Sequence, residues 1–287
     1  MTSSSLTPDR RSSWVPTLPL IGAKLLELRK RRTMMIVTAL FTVALPVIFY
    51  TIRTIYHATD PATTGPAGQP IAFATIGTLI SEFGFLIAVA LGATAATADL
   101  TEGMFRHLVI TGRSRTALYL ARIPAGLAIL LSLAAIGFTV ACLVTAFAHN
   151  PLLPGEVVPS AGAMIRSGLW IELDLVLGFT IGLGLGSLMG QRTVPVILII
   201  VLQFFFAPKL ATGVLPHLIN FQRLFFGVAM DQMEPNALSG GTVITVQGGV
   251  ITTKLPAMPI WALTTVIAGW IIVWSAIGAW KMITRDA

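Results

Sequence analysis

The chain has 287 residues, of which 55% are hydrophobic and 11% charged, with a mean hydropathy of +0.83. So few polar side chains cannot cover a water-facing surface, which excludes an ordinary soluble domain and makes lipid part of the solvent. The formal net charge of +7 sits on basic residues gathered at one side of the apolar runs, a pattern of membrane topology rather than nucleic-acid binding, and the lone Cys142 allows neither an intrachain disulfide nor a paired-cysteine metal site.

Residues 1–16, rich in Ser, Thr and Arg, read as a flexible cytoplasmic tail. Residues 17–33 read as an amphipathic interfacial helix: Leu18, Ile21, Leu25 and Leu28 recur at three- and four-residue steps beside a stripe of Lys24, Glu27 and Arg31. The remainder, 34–287, reads as a six-helix transmembrane domain. Its apolar runs are Met34–Tyr56, Ile71–Ala98, Leu120–Ala148, Ser167–Gly190, Val194–Leu215 and Pro259–Lys281. Each reaches the roughly 20 residues that a helical crossing needs, and none alternates at period two as a barrel strand would. The expected fold is therefore all-α integral membrane. It has six transmembrane helices, an N-terminal interfacial helix, a cytoplasmic coupling helix and a re-entrant or external segment before the last span.

That external segment begins after Pro208 and Lys209. Leu215–Met230 is helical in pattern but carries Pro216, His217, Asn220 and Arg223, which suits a re-entrant helix. Residues 242–253, flanking Gly248 and Gly249, read as a small external hairpin. Of 19 Lys and Arg, all but Arg53, Arg166, Lys209, Arg223 and Lys254 fall on the side of the N-terminus. The positive-inside rule then puts both termini in the cytoplasm.

Two spans carry small residues at four-residue spacing: Gly84, Ala88, Gly92 and Ala96 in the second, and Gly178, Gly182, Gly186 and Gly190 in the fourth. Such stripes let helix backbones approach closely where no hydrophobic effect drives association, so tight packing of these spans is expected, with a glycine-lined sliding surface as the functional alternative. Acids within spans are costly. Glu82, Glu172 and Asp174, with Arg53, form either an outer charge cluster or the wall of a substrate path. In the first reading Glu172 and Asp174 pair with Arg53 or Arg166.

No Walker-type loop, HExxH or GxSxG is present, and the four histidines are scattered, so neither a catalytic constellation nor a metal cluster is expected. The most informative stretch lies between the second and third spans. It opens with Asp99, Glu102 and Gly103, presents Phe105, Leu108 and Val109 as a short apolar face beside Arg106, and ends at Gly112 and Arg113. An exposed apolar helix held between two spans is suited to dock into a partner's groove.

Here the sequence resembles the permease subunits of type-2 ABC transporters. Asp99, Gly103, Phe105, Arg106 and Leu108 fit the family pattern, as do Gly112, Arg113, Ser114, Arg115, Leu118, Ala121 and Arg122, while Met104 replaces the usual Thr. The resemblance implies a bacterial inner-membrane exporter of drugs, antibiotics, lipids or glycan-lipids. It implies a second permease subunit, identical or different, and separate ATPase subunits that hold ATP and Mg. Asp99, Glu102, Gly103, Phe105, Arg106, Leu108, Val109 and Arg113 would couple to the ATPase; the chain itself would carry no cofactor, would bind no nucleic acid and would not be an enzyme. The alternatives are a proton-coupled secondary transporter and a non-transporting membrane anchor or immunity protein.

Overall fold

The structure is a computed structural model and describes residues 15–101, 114–149, 158–203, 219–238 and 257–284. Every regular element among them is helical: α1 (Leu18–Lys30), α2 (Arg32–Ala39), α3 (Leu45–Thr59), α4 (Pro70–Thr101), α5 (Arg115–Phe147), α6 (Ala161–Met189), α7 (Thr193–Val201), α8 (Ile219–Leu224), α9 (Phe226–Met233) and α10 (Ile260–Thr284). Five helical stretches are long and apolar enough to cross a membrane: Arg32–Thr59, Pro70–Asp99, Arg115–Phe147, Ala161–Met189 and Ile260–Thr284. Of the expected fifth span only its start, α7, is described. The tail before residue 15 and the 242–253 hairpin lie outside the described residues.

Two spans begin earlier than their apolar runs because serines cap them. Ser114 accepts from Ala117 N at 3.2 Å and opens α5, and Ser160 does the same for Ala163 N at the start of α6. The first span is interrupted by a π-helical turn, Leu40–Ala44, between α2 and α3. Pro46 has no N–H to offer the Thr42 carbonyl, so the regular ladder cannot pass this point. The Thr42 carbonyl oxygen meets Gly137 of α5, where any β-carbon would overlap it.

The glycine stripes of α4 and α6 face one another. A β-carbon on Gly92 would strike the Phe179 carbonyl, one on Gly182 the Val89 carbonyl, and one on Gly186 the Ala93 backbone. Gly84 and Gly178 meet the side chains of Leu175 and Phe85. Gly190, the last of the stripe, ends α6, its φ of 70° being the left-handed cap conformation that favours glycine. Around the seam, Leu91, Tyr119, Leu130, Leu175, Phe179 and Leu183 build one buried cluster, and Phe85, Val89, Ile181, Phe226 and Ile267 a second.

The bundle has two distinguishable ends. At one, the C-terminal ends of α4, α6 and α10 meet the start of α5. Arg115 Nη1 donates to the Ile283 carbonyl at 2.9 Å, and α1 packs Leu20 on Ala117, Leu118 and Ala121. At the far end Arg53 Nη2 donates to Gln69 Oε1 at 2.7 Å, Gly68 N to the Ala148 carbonyl at 3.2 Å, and Trp170 Nε1 to the Met230 carbonyl at 3.0 Å.

Candidate functional site

The buried face of α1 repeats at four-residue steps through Leu20, Lys24 and Leu28. A lysine at the centre of such a face must find counter-charge, since an unpaired buried cation is too costly to keep. Lys24 Nζ donates to Asp99 Oδ1 at 2.5 Å and to Glu27 Oε2 at 2.8 Å. Asp99 belongs to the last turns of α4, and its other oxygen accepts from Arg122 Nη2 of α5 at 2.6 Å. The remaining Arg122 Nη1 donates to the Ala96 carbonyl at 2.9 Å. Two cations thus meet two carboxylates, and the basic groups also complement the negative end of the α4 dipole.

Asp99 is 3% exposed. Expected among the partner-contacting residues, it instead has both oxygens committed inward to Lys24 and Arg122, so its carboxylate is not available to a docked protein. Glu102, Gly103, Phe105, Arg106, Leu108, Val109 and Arg113 lie outside the described residues. The stripe of Lys24, Glu27 and Arg31 is present, with Arg31 Nη2 at 4.0 Å from Glu27. The apolar face is rotated from the expected one: Leu18 is exposed, and Leu20 packs in its stead.

Among the described residues the far-end acids do not pair with arginine. Asp174, buried between α4 and α6, accepts from Ser81 Oγ at 2.6 Å. Arg53 is engaged by Gln69. Glu172 lines a largely apolar cavity of about 410 Å³ between α5 and α6, with Phe138, Cys142, Met164 and Gly168. Glu82 is exposed on α4. Sequence reasoning missed two further acids, Asp231 and Glu234: Glu82 and Asp231 lie within electrostatic reach of Asp174, and both also act on Glu234. Only the folding of α9 back onto α4 and α6 brings these four together, and nothing in the spacing along the chain announces it. Among the described residues, no group of three or more His, Cys, Asp or Glu side chains converges as a metal site requires.

Compared with known proteins, the chain matches no family model and no curated relative.

Proposed function

We propose that this chain is the transmembrane subunit of an ATP-driven exporter. A separate ATPase drives it to move a hydrophobic or amphipathic substrate out of the cytoplasm or inner leaflet. One observation carries the reading: the Lys24–Asp99–Arg122 cluster ties α1 to α4 and α5, the two helices between which residues 102–113 run. A push on that segment would reach three helices at once through ion pairs that resist separation. The resemblance of 99–122 to ABC permeases supplies the partner.

Six crossings fit this reading better than five. The C-terminal turns of α10 meet Arg115 and Arg122 at the end where α1 lies, as an even number of crossings requires. Helix α7 starts at that same end, just after Gly190, whereas α9 bonds to Trp170 at the far end. The chain between them, which includes the apolar run 194–215, would then be the additional crossing. The basic residues at the Asp99 end support a cytoplasmic assignment for it.

Purification of the tagged chain from its native membrane in mild detergent tests the proposal. An ATPase should co-purify, and its hydrolysis should respond to substrate; a chain that transports with no ATPase bound would sink it. A second reading, a proton-coupled secondary transporter, is favoured by the buried Asp174 carboxyl bonded to Ser81 with Glu82 and Asp231 near it. Transport into inverted vesicles separates the two, because one reading requires ATP and the other an imposed pH gradient.

A further inference from the structure

At the far end of the bundle, α6 and the turn after α9 enclose a cavity of about 580 Å³. Among the described residues its walls carry one cation, Arg166, and one anion, Glu234, together with Leu169, Trp170, Leu173 and Met233. The ion pairs among the described residues involve only Lys24, Glu27, Arg31, Asp99 and Arg122. Arg166 and Glu234 therefore share one cavity without closing on each other, and neither side chain has a hydrogen-bond partner among the described residues.

Depth sorts the lining. Helix α6 has 29 residues, about 43 Å at 1.5 Å per residue, against about 30 Å of hydrocarbon. Arg166, five residues from the helix start, falls near the headgroup boundary, while Leu169 and Leu173 lie one and two turns further toward the membrane centre. Trp170, held by its bond to the Met230 carbonyl, is of the residue type that favours this boundary. The cavity is charged at the top and apolar below. Asp231 and Glu82 add further negative charge around Glu234, which favours a cation on that side.

We propose that this cavity binds a phospholipid of the adjacent leaflet whose headgroup carries both a phosphate and a primary ammonium, a phosphatidylethanolamine. The guanidinium donates to the phosphate oxygens in the paired geometry that suits it, and the ammonium donates to the Glu234 carboxylate. A quaternary choline has no N–H for that carboxylate. An anionic glycerol headgroup would satisfy Arg166 but offer Glu234 no cation. Trp170, Leu169 and Leu173 receive the upper acyl chain. Neither an ATPase nor the identity of the cytoplasmic face enters into this binding.

Native mass spectrometry of the full-length protein tests it. After delipidation in detergent, the protein is titrated with phosphatidylethanolamine, phosphatidylcholine, phosphatidylglycerol and free phosphoethanolamine. Retention of phosphatidylethanolamine should exceed that of the other two lipids about tenfold, a difference of about 1.4 kcal/mol. Arg166→Gln and Glu234→Gln should each weaken it by a similar factor, and Glu234→Gln should also erase the preference over phosphatidylcholine. Equal retention of the three lipids by the wild-type protein would overturn the proposal even if a variant failed to fold. So would a Glu234→Gln variant that keeps the wild-type preference, or an Arg166→Gln variant that retains phosphatidylethanolamine as well as the wild type does. Free phosphoethanolamine binding as tightly as the lipid would make the site one for a soluble zwitterion and overturn the lipid assignment.

Discussion

Arg122 of α5, 1% exposed, holds Asp99 of α4 across 2.6 Å while its other terminal nitrogen reaches the Ala96 carbonyl. Removing the acid leaves Arg122 buried without its counter-charge and Lys24 with Glu27 alone. Asp99→Ala should therefore destabilise the protein by about 3–5 kcal/mol, read as a lowered melting temperature in detergent. Lys24→Met leaves the Arg122–Asp99 bond in place and should cost less, but it should loosen α1 and speed tryptic cleavage around Arg29 and Lys30. Wild-type melting for Asp99→Ala would mean that the cluster does not hold the helices together.

The α4–α6 seam allows a comparison within one molecule. Gly182→Leu and Gly92→Leu drive methylenes into opposing backbone carbonyls and should each cost about 1–3 kcal/mol or prevent folding. Gly162 and Gly269 face open space, so Ala there should leave melting within about 0.5 kcal/mol of wild type or raise it slightly. Similar melting for all four variants would show that the seam is not close-packed.

Orientation is checked by reporter fusions. Fusions after Arg115 and after Ala287 should report the cytoplasm, and fusions near Gly65 and Gly240 the opposite side. A single fusion reporting the wrong side would break the six-crossing topology.

Coupling to an ATPase is checked at Phe105. A carboxylate introduced into a docked apolar contact loses water without gaining a partner, so Phe105→Asp should abolish ATPase association while membrane insertion is unchanged. Ala62→Asp, at an exposed turn of the far end, is the matched control and should associate normally. Normal co-purification and transport by the Phe105 variant would remove residues 99–113 from the coupling role.

Lipid retention should depend on pH through Glu234. Burial, then the charges of Asp231 and Glu82, hold its carboxyl above the usual glutamate value of 4.5. The anion that meets the ammonium is present above that raised pKa and is lost as pH falls through it. The preference for phosphatidylethanolamine over phosphatidylcholine should consequently fade on acidification before an ordinary glutamate would protonate. Glu234→Gln should be flat over the same range. An undiminished preference well below pH 4.5 would assign the ammonium to another partner.

Much of the architecture was legible residue by residue. The apolar helices at 34–56, 71–98, 120–148, 167–190 and 259–281 were readable because a bilayer demands about 20 apolar residues in a row, and all five coincide to within about six residues with described helices long and apolar enough to cross one. The facing stripes of Gly84, Gly92, Gly178, Gly182 and Gly186 were readable because close backbone contact on a helix requires small residues every fourth position. Only the tertiary structure decided which charges meet. Lys24 and Asp99 are separated by 75 residues and Ser81 and Asp174 by 93. Chain spacing predicts neighbours within a helix, as it did for Lys24 and Glu27, but not which face of one helix turns toward another. That rotation is set by side-chain packing along the whole seam. It buries Asp99 rather than exposing it to a partner, and it brings Arg166 and Glu234 to one cavity without pairing them.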